Sequence, residues 1–115
     1  MLFHIPIKLP SLMNLRVNWR KMMRLKKDQR TATKLCMKDK PIPPGPLVVT
    51  ITRIGPRRLD GDNLQGACKY VRDQIAAQVG PDDGSSFYTW VYKQRIGKYG
   101  VEVDIVSRVG LAPAD

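Results

Sequence analysis

Apolar and polar positions alternate along the first nine residues, and this period of two predicts a half-buried strand from Phe3 to Leu9. Pro6 lies within that stretch and has no backbone N–H to donate, so the strand is expected at the edge of a sheet. Pro10 and Ser11 then end it. A second strand is predicted from Leu47 to Ile54, where β-branched residues predominate.

Helical spacing replaces alternation from Asn63 onward. Apolar residues recur at steps of four, three, four and four, at Leu64, Cys68, Val71, Ile75 and Val79. Such a stripe indicates one amphipathic helix of about 17 residues. Asp62 or Asn63 suits its N-cap, and Gly80-Pro81 ends it.

Alternation returns after this helix. Two further strands are predicted, Tyr88 to Ile96 and Tyr99 to Val106, joined as a hairpin around Gly97-Lys98. Aromatic side chains share one face of the first of these strands, at Tyr88, Trp90 and Tyr92.

Residues 14–40 are the most basic part of the chain and predict a basic loop leading into a helix that ends near Lys38. If this part is helical, one stripe carries four cationic side chains: Arg16, Arg20, Arg24 and Lys27. Two interpretations of the stripe stand, a solvated helix face or a surface that contacts DNA phosphates. Residues 41–46 form a stiff, proline-rich connector, and residues 107–115 form a C-terminal tail that is expected to fray at its end.

These elements predict a single domain over residues 1–115. Its fold class is α+β: a small mixed sheet of about four strands with two helices packed on it.

Composition narrows the partners. Twenty Lys and Arg against ten Asp and Glu give a net charge of +10, which favours nucleic acid or an anionic membrane as the partner. No apolar run has the length of a membrane span, so no membrane partner is expected.

Two cysteines, Cys36 and Cys68, are too few for a disulfide framework and favour buried thiols in a reducing cytoplasm. The single histidine, His4, excludes histidine–zinc sites and Ser–His–Asp triads within this chain.

Acidic residues are few but concentrated. Five of the ten lie in one 24-residue stretch: Asp60, Asp62, Asp73, Asp82 and Asp83. Asp60 and Asp62 point to the same side of an extended strand end. Two carboxylates about 4 Å apart repel each other by roughly 4 kcal/mol at an effective dielectric near 20, and a bound cation relieves that repulsion. Oxygen ligands without His or Cys suit Mg²⁺ or Mn²⁺.

Asp82 and Asp83 follow the predicted helix, which is roughly 25 Å long. They reach Asp60 and Asp62 only if the chain reverses or if a second subunit supplies them. Pro81-Asp82-Asp83-Gly84 is also a common turn sequence. Lys69, two helical turns after Asp62, either contacts a phosphate or pairs with Asp73.

The segment from Arg58 to Gln65, its following helix, and Asp82-Asp83 before the last two strands resemble the RusA-like Holliday junction resolvases of phages and prophages. The resemblance covers residues 47–106 well, whereas the first 46 residues agree in layout only. It implies a small mixed α/β homodimer that cuts branched DNA with Mg²⁺ in a bacterial host. By position, the metal-binding carboxylates are Asp60, Asp62 and Asp83, with Asp82 as the alternative, and Asn63 is the asparagine of the motif. The family commonly has a lysine where this chain has Gly66, and Lys69 is the substitute candidate one turn later.

The expected function is therefore Mg²⁺-dependent, or Mn²⁺-dependent, cleavage of four-way DNA junctions. Arg57, Arg58 and the basic stripe would hold the flanking backbone together with Asn63. Trp19 and Tyr88 either stack on unpaired bases or pack in a core or dimer interface. The alternative is a non-catalytic basic DNA- or RNA-binding protein in which the acids are structural. A third interpretation, a small interaction protein, makes the charge a matter of solubility alone.

Overall fold

Seven elements build the chain in the computed structural model, which describes residues 1–12 and 18–108. In chain order they are β1 (Leu2–Ile5), α1 (Trp19–Met37), β2 (Leu47–Gly55), α2 (Gly61–Ala67), α3 (Lys69–Val79), β3 (Tyr88–Ile96) and β4 (Gly100–Ser107). The strands form one mixed sheet in the order β1-β4-β2-β3. The predicted α+β class is confirmed, with three helices in place of two.

The position of β2 overturns the predicted hairpin. β2 pairs in parallel with β3 and antiparallel with β4, so it separates the two strands that were expected to pair. The chain crosses from β3 to β4 over the end of β2, where the Gly97 amide donates to the Gly55 carbonyl at 3.0 Å. The crossing spans two strand spacings, about 10 Å, which three connecting residues can cover. The central place suits β2 because Thr52 and Ile54, on the face away from the helices, are buried as well.

The core lies between the helices and one face of the sheet. It is formed by the alternate residues of β2 and β4 and the apolar stripe of α2 and α3, including Val49, Ile51, Val103, Val71 and Ile75. The opposite face carries polar side chains around an open cleft that includes Thr50, Lys93 and Glu102. Tyr88 is buried in the core, so the packing interpretation holds for this residue.

The predicted single helix after the acidic motif is two helices. The break is at Cys68, which caps both helices. Its φ of −87° and ψ of −3° depart from ideal α-helical values, and its amide is shared between the Leu64 and Gln65 carbonyls at 3.2 Å each. Helical bonding resumes when the Arg72 amide donates to the Cys68 carbonyl. Gly66 weakens the last turn before the break because glycine has low helix propensity.

β1 ends at Ile5, earlier than the predicted Leu9, directly before Pro6. Among the described strands it pairs only with β4, so the predicted edge position is confirmed. α1 ends at Met37, as predicted, and begins after Asn18, whose side chain accepts from the Lys21 amide at 3.1 Å.

The first half of α1 projects cationic and apolar side chains to solvent. Trp19 is 69% exposed, so it is not a core residue within this chain. Arg20, Arg24 and Lys27 are exposed on the same half. Arg16 and tail residues 109–115 lie outside the described residues.

Among the helices of the described residues, none is both long enough and apolar enough to cross a bilayer. Both thiols are free; Cys68 is buried as predicted, whereas Cys36 is half-buried.

Candidate metal and nucleic-acid site

Two hydrogen bonds from one side chain fix the backbone between the end of β2 and the start of α2. The Gln94 amide, on β3, accepts from the Leu59 N–H at 2.9 Å and donates to the Leu59 carbonyl at 2.7 Å. Both backbone groups of the residue before Asp60 are thereby tied to a strand of the sheet. A rigid element behind a loop residue is what a precisely placed functional side chain requires.

Asp60 is the N-cap of α2, the position that the sequence pattern assigned to Asp62 or Asn63. One Asp60 carboxylate oxygen accepts from the Asn63 N–H at 2.9 Å, and the other accepts from the Asn63 side-chain amide at 3.1 Å. The side-chain Oδ1 of Asn63 in turn accepts from the Ser11 hydroxyl at 3.2 Å. Asn63 therefore orients Asp60, and Ser11 orients Asn63. We call Ser11, Asp60, Asp62 and Asn63 the junction site, after the junction between β2 and α2 in the protein and not after a DNA junction.

Asp62 completes the junction site from the first turn of α2, and both aspartates are exposed. Each Asp60 oxygen that accepts from Asn63 keeps a further lone pair. Mg²⁺ commonly uses only one or two protein carboxylates and takes its other ligands from water and substrate phosphates. The donor set of the junction site thus fits Mg²⁺ or Mn²⁺ and is the wrong chemistry for zinc.

The cap makes a testable contribution to stability. Replacing Asp60 by alanine removes both bonds to Asn63 and is expected to lower the free energy of unfolding by about 1 kcal/mol. Replacing it by asparagine, which caps equally well, is expected to leave stability nearly unchanged. Chemical denaturation of the two variants checks this, and equal stability of alanine and asparagine variants would exclude the cap.

Asp83 is held elsewhere, by Arg72 of α3. The Arg72 Nε donates to the Asp83 carboxylate at 3.1 Å, and Nη2 donates to the Asp83 backbone carbonyl at 3.3 Å. The same guanidinium donates to the Tyr92 hydroxyl at 2.7 Å and lies 5.0 Å from the centre of the Trp90 ring. The Trp90 indole N–H also donates to the Asp83 carbonyl at 2.9 Å. The chain reverses after α3, which Asp83 would need in order to reach Asp60 and Asp62. The reversal instead places the Asp83 carboxylate beside Arg72.

The acidic residues therefore form two groups. Asp82 caps its own turn by accepting from the Gly84 amide at 3.1 Å, and it lines a shallow cleft with Asp73 and Asp83. We call these three the turn acids. Asp62 lies in the first turn of α2, whereas Arg72, which holds Asp83, lies on α3 beyond the break at Cys68. Within residues 1–12 and 18–108, no cluster of three or more His, Cys, Asp or Glu is suited to hold a metal ion.

Asp73 gives a pH-dependent prediction. Burial and the neighbouring Asp83 raise the pKa of Asp73, against the opposing charges of Lys69, Arg30 and Arg72. A carboxyl whose pKa is raised by folding ionises more easily in the unfolded chain, so its ionised form lowers stability at neutral pH. This penalty disappears below the ordinary aspartate pKa near 3.9.

Asp73→Asn is accordingly expected to raise the melting temperature slightly at pH 7, and the difference from the parent chain should shrink as the pH falls towards 3. Thermal unfolding across this range measures it. Asp28→Asn, an equal charge change on exposed α1, is the control and should show no such trend. A lower melting temperature of Asp73→Asn at pH 7 would contradict the expectation.

Lys69 is exposed on α3 and lines a cleft of about 340 Å³ with Gly66, Arg72 and Asp83. The salt bridges within the described residues are Arg72–Asp83 and Arg95–Glu102, so the expected Lys69–Asp73 pair is not formed there. Lys69 nonetheless lies near enough to lower the pKa of Asp73. The cleft that Lys69 lines extends from Gln65 and Gly66 of α2 to Asp73 and Asp83.

The two arginines before the junction site are exposed and line different clefts. Arg57 lines a cleft on the helix side, together with Lys8, Ser11 and Arg53. Arg58 lines the cleft on the open face of the sheet. Arg57 and Arg58 thus line clefts on opposite faces of the sheet.

Four residues that position the site were missed from the sequence: Ser11, Arg53, Arg72 and Gln94. Two of them carried a usable signal: Arg53 and Gln94 occupy core-facing positions of apolar strands, where polar residues are uncommon.

Burial raises the pKa of the Cys68 thiol to about 12 although the Arg53 charge opposes the shift, so this thiol is no nucleophile at neutral pH.

Comparison with protein-family models, with curated proteins and with solved structures finds no match to this chain.

Proposed function

We propose that this protein is a Mg²⁺-dependent endodeoxyribonuclease that cuts branched DNA, with four-way junctions as its substrate. The observation that carries the proposal is the junction site: two exposed aspartates at a strand–helix boundary, one of them oriented by Asn63 and Ser11. Around it lies a chain of net charge +10. A carboxylate pair in a basic surface brings a cation and a polyanion to one place.

The resemblance to RusA-like resolvases adds to this proposal. The structure has a strand, the Asp60–Asp62 motif, a helical segment and Asp83 before the last two strands, in the order of that family's pattern. Under the resemblance, the protein acts as a homodimer in the cytoplasm of a bacterium, encoded by a phage or prophage, in DNA recombination and repair. A twofold dimer suits a four-way junction because symmetric nicks need two matched sites.

In this proposal Asp60 and Asp62 hold the divalent cation. The cation supplies a polarised water and charge neutralisation at the scissile phosphate. Asn63 keeps the Asp60 carboxylate facing the site through its two hydrogen bonds. Arg57 and Arg58 hold the DNA backbone on either side, and Lys69 contacts phosphate from the neighbouring cleft.

Asp83 has a smaller role in metal binding in this proposal than the resemblance implies. Its Oδ2 is paired with Arg72, so a cation bound by this carboxylate would lie beside a positive charge. In the proposed dimer it is a third ligand only if the partner subunit brings its own turn acids to the junction site. Asp82 is more exposed and remains the alternative in the same position.

A second function, non-catalytic binding of DNA or RNA, is favoured by one specific observation. Both Asp60 oxygens accept from Asn63, and Asp83 is paired with Arg72, so these two acids also have a structural use. In that case the basic surfaces would act alone, and salt would weaken binding through counterion release.

The two functions are separated by measuring nicking and binding of one labelled four-way junction while Mg²⁺ or Mn²⁺ is titrated. The nuclease proposal expects nicks that require the cation and cease with a chelator. Binding that persists while no nick forms with either metal would overturn it and favour the non-catalytic function. The duplex arms alone serve as the substrate control.

A further inference from the structure

Arg53 is a charged side chain in a position that the sheet reserves for the core. It follows Leu47, Val49 and Ile51 on the helix-facing side of β2, between Gln94 of β3 and Val101 of β4. Only 5% of its surface is exposed. A buried guanidinium is costly unless an anion or several hydrogen bonds compensate for the lost water. No carboxylate within the described residues forms a salt bridge with it.

The Arg53 guanidinium is held in a fixed direction. Nε donates to the Leu9 carbonyl at 2.7 Å, and Nη1 donates to the Arg57 carbonyl at 2.8 Å. Gly55 lies against it, since a Cβ at position 55 would come within 3.1 Å of Nη1 and 3.2 Å of Nη2. Two carbonyls and a glycine therefore orient the group, while its full positive charge remains uncompensated by any described acid.

Arg53 forms the base of an open cleft of about 580 Å³ on the helix side. Lys8 and Arg57 bring two more cations to its walls, and none of its lining residues is acidic. The Lys8 ammonium is kept in place 4.6 Å from the centre of the Tyr99 ring. Ser11 and Leu59 line the cleft as well, so it adjoins the junction site directly. We call this the basic cleft.

We propose that the basic cleft binds one internal phosphate of the DNA backbone, next to the phosphate that is cut at the junction site. Three cations without an acid select an anion, and the planar fork of Arg53 suits phosphate oxygens. The proposal rests on the proposed function for the identity of the nucleic acid. Its anion-binding chemistry rests on Arg53, Lys8 and Arg57 alone.

The first test uses inorganic phosphate without any divalent cation, because this separates the cleft from catalysis. Phosphate is titrated into the full chain while the Arg53 Nε–H and the Ser11 amide are followed by NMR. Lys8→Gln is expected to weaken binding by about tenfold, as the loss of one charge-assisted contact does. Lys93→Gln, an equal charge change on the opposite face of the sheet, is the matched control and should bind phosphate unchanged.

Gly55→Ala is a second variant that changes no charge. Its added methyl group would crowd the guanidinium at 3.1–3.2 Å and displace it, so phosphate binding should weaken while the net charge stays the same. Loss of binding in Lys8→Gln and Gly55→Ala with an unchanged control supports the cleft. Equal weakening in the Lys93→Gln control, or no phosphate response at Arg53, overturns it.

The source of the phosphate is decided by comparing a thymidine dinucleotide, which has one internal phosphodiester, with thymidine 5′-monophosphate. Binding of the dinucleotide to the cleft supports a backbone phosphate, whereas binding of the monophosphate alone overturns that assignment. Failure of the nuclease proposal stays distinguishable. Phosphate binding without any junction nicking leaves the cleft in place and removes the catalytic function, and nicking without phosphate binding does the reverse.

Discussion

Replacing Asp62 by asparagine is expected to lower the rate of junction nicking by on the order of 100-fold or more. The substitution keeps the shape of the side chain but removes the charge that, with Asp60, would hold the cation. Asp62 makes no contribution to the cap of α2, which Asp60 supplies, so the fold should be unaffected. Affinity for the junction should be retained or slightly increased, because a negative charge leaves a DNA-facing surface.

Single-turnover nicking of a labelled four-way junction, with binding measured in parallel, checks this expectation. Asp104→Asn is the matched control, since Asp104 is an exposed aspartate of β4 on the open face of the sheet. Equal nicking by Asp62→Asn and the parent chain would remove Asp62 from the site. A similar loss in Asp104→Asn would show that the effect comes from net charge.

Replacing Arg72 by methionine is expected to lower the free energy of unfolding by about 2–3 kcal/mol. The side chain length is kept, but the Asp83 carboxylate, the Asp83 carbonyl and the Tyr92 hydroxyl all lose their donor. The turn that carries Asp82 and Asp83 would lose the group that ties it to α3. Denaturant unfolding gives the free energy, and proteolysis near Gly84 reports loosening of the turn.

Arg95→Met is the control for this experiment. The Arg95–Glu102 pair is longer, at 3.5 Å, and exposed, so its loss should cost less than about 1 kcal/mol. Similar losses in the two variants would mean that the Arg72 contacts contribute no more than a surface ion pair does.

The sequence pattern predicted β2 and β3 almost to the residue, because β-branched runs and aromatic alternation report local structure directly. It failed on the pairing of β3 with β4. A short connection containing Gly97 favours a hairpin locally, but β2 is buried on both faces and takes the position between these strands. Strand order depends on which strand most needs two neighbours, and that is a property of the whole sheet.

The motif that contains Asp60, Asp62 and Asn63 could be predicted from the sequence, but the cap and the hydrogen bonds among these residues could not. The spacing predicted that Asp60 and Asp62 lie on one side of a strand end, but the cap was assigned two or three residues too late. The apolar stripe from Leu64 to Val79 continues through Cys68 without interruption, so the spacing of apolar residues does not predict the break between α2 and α3. Arg72, about two turns before the end of α3, holds Asp83 across the reversal that follows this helix, a contact that periodicity does not encode.

The positioning residues were the least accessible to sequence analysis. Gln94 follows three aromatic residues on the core face of β3, and Arg53 follows three aliphatic residues on the core face of β2. Each is a polar residue where the pattern calls for an apolar one, and such conflicts between pattern and residue tend to mark functional sites. Ser11 gave no signal, because a serine after Pro10 is an ordinary loop residue.

We propose that Asp60 and Asp62, and not the turn acids of the same subunit, hold the divalent cation. Paramagnetic broadening by substoichiometric Mn²⁺ in the NMR spectrum of the protein locates that cation directly. We expect broadening centred on the amides of residues 60–63 that is lost in Asp62→Asn. Broadening centred on residues 81–84, or broadening that Asp62→Asn leaves unchanged, would contradict it.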